Sequence, residues 1–275
     1  MAGPGMRLET WFDSNIGRVR KANQDTVGCF PEEALFIVAD GMGGHAEGEV
    51  ASRLATEMIH AQLAGASTVP AADAKPMGLG RFLPSALRRR STAGVGAVDR
   101  LRLAIEAANR RVFDEGQVRE HGQQGSMGTT VVVLRCDLLQ ERVSWAYVGD
   151  SRLYRVRAGR LMLLTADHTL YGEAYRDEDE IPSDLPHINR LQRAVGAQRD
   201  VEVSTGADTL RDGDLFLLCS DGVSGMIEPT QLEAEMTSGR GVAEIGKALI
   251  AMALEAGGKD NASALLVRVS AADVA

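Results

Sequence analysis

The apolar positions of this chain follow two periods. From Glu49 to Leu63 the pairs Val50/Ala51, Leu54/Ala55, Met58/Ile59 and Gln62/Leu63 recur every four residues, which marks one buried helical stripe. Leu101, Ile105, Ala108 and Val112 mark a second helix over about Val98–Glu120, and a third is expected over about Ala243–Ala256. Shorter β-rich runs occupy Ala34–Ala39, Gly128–Cys136, Arg142–Val148, Arg152–Arg157, Arg160–Leu164, Leu215–Cys219 and Ala264–Val269. A further strand is expected near Val201–Ser204, and strand-like positions surround Asn15–Arg20. Tight turns such as Ala158-Gly159 join the four runs between Gly128 and Leu164, which predicts an antiparallel meander. Strands and helices do not alternate in strict βαβ order, so α+β layering in one domain is expected.

Two segments break the pattern. Residues 65–97 are punctuated by Ala, Gly, Ser and Pro, and over 65–100 Lys75, Arg81, Arg88, Arg89, Arg90 and Arg100 outnumber Asp73 and Asp99. This is either a surface insertion or a docking surface for an acidic partner. Residues 166–190 are polar, proline-interrupted and acidic at Asp177-Glu178-Asp179-Glu180, too long for a plain connection, and read as a flap. The expected organisation is one domain, 1–275, carrying both segments.

Composition narrows the class. The chain has 275 residues, 44% of them hydrophobic, enough for a sizeable core. No apolar run approaches bilayer length, and the N-terminus lacks the basic-then-apolar pattern of a signal peptide, so no membrane partner and a cytoplasmic location are expected. The net charge of −8 argues against nucleic acid as a partner, because duplex binding leans on Lys and Arg. Cys29, Cys136 and Cys219 cannot all pair and read as reduced core residues.

The chemistry centres on Leu35–Ser52, where an apolar run ends in Asp40 and is followed by Gly41, Gly43, Gly44 and Gly48. A carboxylate at the end of a buried strand is costly unless it is paired or binds a cation. The stretch is therefore a metal or phosphate site, or else an ordinary Asp-Gly turn. The same context recurs. Asp221 ends the apolar run Leu215–Cys219 and precedes a glycine, Asp260 follows Gly257-Gly258 just before a strand, and Asp25 closes a polar turn before an apolar one. Carboxylate and carbonyl oxygens without Cys suit hard cations such as Mg²⁺ and Mn²⁺ rather than zinc. Two such ions about 3.5–4 Å apart would lower the pKa of a bridging water and clamp a phosphoryl group. Arg20, five residues before Asp25, is placed to bind phosphate bidentately.

The set Arg20-x-x-Asn23-Gln24-Asp25, Asp40-Gly41-Met42-Gly43-Gly44-His45-x-x-Gly48, Gly128-Thr129-Thr130, Gly149-Asp150-Ser151-Arg152, Cys219-Ser220-Asp221-Gly222 and Asp260-Asn261-Ala262-Ser263 resembles the bacterial metal-dependent type 2C Ser/Thr protein phosphatases. The motifs come in the family's order across roughly residues 8–270. The resemblance implies a four-layer α-β-β-α sandwich of two antiparallel sheets, with a dinuclear Mn²⁺ or Mg²⁺ centre at one end. It implies that Asp40 bridges both ions, that the Gly41 carbonyl binds one, and that Asp25, Asp221 and Asp260 complete the shell largely through waters. Asp150 corresponds to the ligand of a third, weaker ion shared with Asp221, and Arg20 to the phosphate-holding arginine.

The implied reaction is direct attack of a metal-bridging hydroxide on phosphoserine or phosphothreonine in proteins, opposing a Ser/Thr kinase. Eukaryotic members place a histidine two residues after the first strand-end Asp. Here that position is Met42, a substitution bacterial members share, so the proton donor is either His45 or a metal-bound water. His45 can equally brace the glycine turn. Asp167-His168 matches a family element entering the flap, with His168 an anchor rather than a catalyst, and Asn261 orients Asp260. A silent phosphoprotein-binding module on the same scaffold would have lost ligands, but all four carboxylates are present. Phosphatases acting on anti-sigma-factor antagonists lack much of this motif set.

Overall fold

The apolar run at Leu35 has no polar face because both of its faces are covered. In the computed structural model, which describes residues 5–43, 47–64, 96–119, 127–170, 172 and 190–272, this run forms β3, Leu35–Met42. Its Leu35, Ile37 and Ala39 pack against Ala51, Ala55 and Ile59 of α1 (Glu47–Leu63) and Leu101, Ile105 and Ala108 of α2 (Ala97–Arg119). Its Phe36 and Val38 face the other way, into a core with Phe216, Leu218, Leu265 and Val267. The alternation follows from the two-residue period of a strand.

Those partners belong to a second sheet. The first has the order β2 (Asp25–Phe30), β3, β5 (Val131–Asp137), β6 (Arg142–Val148) and β9 (Ser204–Thr209), with the short β4 (Gly128–Thr129) beside the end of β3. The second has the order β1 (Met6–Asn15), β11 (Ala262–Ala271), β10 (Leu215–Cys219), β7 (Arg152–Arg157) and β8 (Arg160–Leu163). Its outer face, including Leu217, Cys219 and Leu266, packs on Ile245, Leu249 and Ala253 of α5 (Val242–Glu255). Helix, sheet, sheet and helix thus enclose three apolar cores, and every strand pairing is antiparallel. The expected four-layer α+β sandwich is the observed architecture.

Several expectations need correction. The four runs from Gly128 to Leu164 are not one meander, because β5 and β6 pair in the first sheet and β7 and β8 in the second. The chain changes sheets at Gly149-Asp150-Ser151. Gly149 makes the change possible with φ +106, a conformation that disfavours a side chain, and a Cβ there would also meet Thr130. The first strand is Met6–Asn15, and residues 16–24 form a loop that starts where the Asn15 side chain accepts a hydrogen bond from Gly17 N–H at 2.9 Å. Alternating Val201 and Val203 only flank the strand. The ladder on β6 begins at Tyr147↔Ser204. Two short helices, α3 (Asp221–Ser224) and α4 (Pro229–Met236), carry too few turns to show a helical stripe in the sequence. Residues 65–95 of the expected insertion, most of the expected flap including 177–180, and His45 lie outside the described residues.

Phe36 is fully buried between the sheets, whereas Phe12 on the edge strand is 53% exposed. Phe36→Ala is expected to lower unfolding stability by about 3–5 kcal/mol in urea titrations. Phe12→Ala is expected to change it by no more than about 0.5 kcal/mol.

Candidate metal centre

The antiparallel register of β2 and β3 sets Asp25 directly opposite Asp40. The backbone around Asp40 is bonded from two sides. Thr130 N–H donates to the Asp40 carbonyl at 2.8 Å, Asp40 N–H donates to Thr130 Oγ1 at 3.1 Å, and Gly41 N–H donates to the Gln24 carbonyl at 3.1 Å. Asp221 opens α3 directly after β10, and Asp260 precedes β11, the strand hydrogen-bonded to β10. Asp150 comes from the crossover between the sheets. A cavity of about 240 Å³ is lined by Arg20, Asp40, Gly41, Asp150, Asp221 and Asp260, so the structure brings these sequence-predicted residues together.

Asp25 sits behind that wall rather than on it. It is 9% exposed, and its Oδ2 accepts from Ser263 Oγ at 2.6 Å and Ser220 Oγ at 2.9 Å. Its Oδ1 is buried with no hydrogen-bond partner. Arg20 donates to Asp260 Oδ2 at 2.5 Å, with half of its side chain exposed. Asn261 ties the Asp260 loop to residues 16–24. Its N–H donates to Asp260 Oδ1 at 2.8 Å, while its side chain donates to the carbonyls of Ile16 and Ala22 at 2.9 and 3.0 Å.

The crossover bearing Asp150 is braced on several sides. Ser151 Oγ and Thr130 Oγ1 are 2.6 Å apart, and Arg152 donates both to Asp167 Oδ1 at 2.9 Å and to Asp167 Oδ2 at 2.7 Å. Gly149 N–H donates to His168 Nδ1 at 3.1 Å, which puts the ring proton on Nε2, 2.9 Å from Ser204 Oγ. Burial first, and Arg193 second, hold His168 down at about 4. His168 is therefore a neutral brace, in line with its reading as an anchor.

Desolvation dominates the electrostatics. It raises Asp25 to about 6, against its two serine donors and with help from Asp221 and Asp260. It raises Asp150 to about 7, helped by Asp221 and Asp167, and it raises Asp40 well above the usual carboxylate range, helped by Asp25, Asp221 and Asp150. Asp221 also moves up, by desolvation and then Asp260, but it is open to solvent and screening weakens its shift relative to that of Asp25. Among the described residues, Arg20 is the only cation lining the cavity.

These residues fit divalent cations. The donors are all oxygen, the cluster carries excess negative charge, and a buried Asp25 oxygen lacks a partner, which suits hard ions. Among the described residues, no three His, Cys, Asp or Glu side chains converge closely enough to enclose an ion unaided. Ions here would keep most of their waters, as Mg²⁺ does. Sequence reading missed Gln24, Thr130 and Leu191 in the lining and the two serines that hold Asp25. Ser220 and Ser263 lie inside the motifs and were legible as hydroxyl donors for a buried carboxylate. Leu191 gave no signal at all.

Residues 18–266 match the profile of the family described as protein phosphatase 2C. A protein named serine/threonine phosphatase stp, from Listeria monocytogenes, is 33% identical over 267 residues, covering 93% of this chain and 94% of the relative. The Mycobacterium tuberculosis serine/threonine phosphatase PstP/Ppp superposes with a TM-score of 0.76 at 27% identity, covering 96% of this chain and 99% of that one. The catalytic domain of a serine/threonine protein phosphatase PstP in complex with two manganese ions gives a TM-score of 0.74 at 30% identity, with 96% and 99% coverage.

The raised carboxylates make stability depend on pH. Asp25 and Asp150 bind protons more tightly in the folded state than at the ordinary carboxylate value of 3.8, so the stability they contribute is full below that value and lost as pH rises through about 6 and about 7. Chelator-treated protein is expected to lose stability between about pH 4 and 7, on the order of 2–3 kcal/mol from Asp25 alone. Excess Mn²⁺ is expected to raise the Tm most at the upper end of that range. Thermal melts across the range check both expectations, and a flat profile without metal would contradict them.

Proposed function

This chain belongs to the protein phosphatase 2C family and is a protein-serine/threonine phosphatase of the bacterial type, and on that premise we propose that its reaction takes place in the Arg20–Asp40–Asp150–Asp221–Asp260 cleft. The observation that carries this reading is the gathering of those residues from both sheets onto one cavity, with Asp25 directly behind it.

Asp40, the Gly41 carbonyl, Asp25, Asp221 and Asp260 would hold two Mn²⁺ or Mg²⁺ ions, and Asp150 with Asp221 a third, weaker one. When bound, the ions supply Lewis acidity that generates a nucleophile from water and offsets charge on the phosphoryl group. Arg20 binds the substrate phosphate, and Asp260 holds its guanidinium at the cleft while leaving N–H donors for phosphate oxygens. Asp25 is fixed in place by Ser220 and Ser263 through Oδ2, with Oδ1 left without a protein partner. His45 gives the proton to the departing serine or threonine alkoxide. The reaction passes through no phosphorylated enzyme, the substrates are phosphoproteins, and a Ser/Thr kinase supplies them. Residues 1–275 act as a single phosphatase domain, with an insertion near 65–97 and a flap near 166–190.

Hydrolysis of p-nitrophenyl phosphate and of phosphothreonine peptides is expected to require Mn²⁺ or Mg²⁺ and to fall at least about 10²-fold in Asp40→Asn, measured by phosphate release. Activity that survives chelation would sink the reading. The role of His45 is tested by leaving group. His45→Ala is expected to lose activity on alkyl phosphothreonine by about 10²-fold while keeping it on the aryl ester, whose leaving group needs no proton. Equal losses on both would make His45 a brace instead.

A further inference from the structure

Two loops form one lip of the cleft, residues 16–24 between β1 and β2 and residues 256–261 between α5 and β11. They are tied together closely. Arg18 N–H donates to the Gly258 carbonyl at 2.7 Å, and Gln24 N–H donates to Asn261 Oδ1 at 2.9 Å. Asn261 reaches back to the carbonyls of Ile16 and Ala22 at 2.9 and 3.0 Å, and Arg20 reaches Asp260. Gly17 allows this contact, with φ +81 and the Asp260 and Gly258 carbonyls standing where a Cβ would go. The lip is held by backbone and buried amide groups, so what projects from it is presented on a fixed frame.

What projects includes three cations beside the exposed Ile16 and Val19. Arg18, Lys21 and Lys259 are exposed, and none of them has an ion-pair partner among the described residues. The single acid in the two loops is Asp260, already engaged by Arg20. Three unneutralised cations on one lip run against the composition of a chain whose net charge is −8. They also stand beside a cleft whose lining carries Asp40, Asp150 and Asp221. In sequence Arg18 and Lys21 bracket Arg20, which lines the cleft, so all three cations belong to the same short loop.

We propose that this lip selects phosphoprotein segments carrying acidic residues close to the phosphorylated serine or threonine, with Arg18, Lys21 and Lys259 engaging their carboxylates. The proposal rests on the phosphatase reading and adds a substrate class to it. Exposed charges of this kind contribute modestly, about two- to threefold each in affinity, and the effect fades with salt. The lip therefore acts as a filter on the sequence around the phosphosite.

The test compares phosphothreonine peptides that are identical except for Asp and Glu, or Ser and Gln, within three residues of the phosphothreonine. The Mn²⁺-loaded wild-type enzyme is expected to favour the acidic peptide by about tenfold in kcat/KM, carried by KM and shrinking as salt rises. The triple variant Arg18→Gln, Lys21→Gln, Lys259→Gln is expected to bring that ratio near one. The single variant Lys21→Glu, which keeps the other contacts, is expected to halve the preference or more. Hydrolysis of p-nitrophenyl phosphate by the wild type tests the underlying reading separately, since its absence would sink the phosphatase assignment itself. Hydrolysis of that ester with no preference between the peptides, or a preference that survives the triple variant, overturns the lip. Competition by a DNA oligonucleotide as strong as by the acidic peptide also overturns it, in favour of general polyanion binding.

Discussion

Asp25 and Asp40 stand opposite each other on neighbouring strands, and holding their carboxylates together with those of Asp150, Asp221 and Asp260 is the constraint on which the rest of the structure depends. Each removal of a carboxylate from water is unfavourable, and each carboxylate makes the next one worse. Among the described residues the opposing forces are few: two serine hydroxyls on Asp25, the Arg20 guanidinium and the Asn261 N–H on Asp260, and the charge of Arg152 near Asp150. A cluster so poorly compensated keeps its geometry because the elements that carry it are fixed elsewhere, by three apolar cores. It is also poised to gain from cations. Cations bound there would relieve that repulsion, and metal binding would then be linked to folding.

The sandwich supplies these groups from separate sources. Asp25 and Asp40 come from the six-stranded sheet, Asp221 and Asp260 from elements bounding β10 and β11 in the five-stranded one, and Asp150 from the turn where the chain passes between the sheets. The site exists only when the two sheets face each other. Thr130 links the two sides directly, bonded to Asp40 N–H and to Ser151 of the crossover. Asn261 does the same at the mouth, joining the arginine loop to Asp260. Thr130 holds the Asp40 backbone through its side chain, whereas Asn261 meets Asp260 through its backbone N–H and the arginine loop through its side chain.

The legible part of the fold was the part written in periodicity. The stripe beginning at Val50, the face of Leu101 and Ile105, and the strands Arg142–Val148, Arg152–Arg157 and Leu215–Cys219 all stand where the pattern put them, because burial on one or two faces imposes a period that the sequence must carry. Elements with little buried surface were missed or displaced. The edge strand Ser204–Thr209 has no fully buried position and owes its existence to β6, and α3 and α4 are too short to show a stripe. The site was legible as residue types in repeated contexts, an acid at the end of an apolar run followed by glycine. Leu191 was not, because nothing in its local sequence marks it as a cleft residue.

The sequence by itself determined the inventory: oxygen donors for hard cations, an arginine near them, helices with one buried stripe, and strands apolar enough to be covered on both faces. These are local properties, set by the chemistry of side chains and the periods of helix and strand. Tertiary structure decided which acids meet. Asp150 reaches the cleft because the chain leaves one sheet for the other at Gly149, and Asp25 lies behind the wall because Ser220 and Ser263 hold it there. Strand pairing joins residues distant in sequence, and the match between two sheets depends on the whole of both, so no local stretch encodes it.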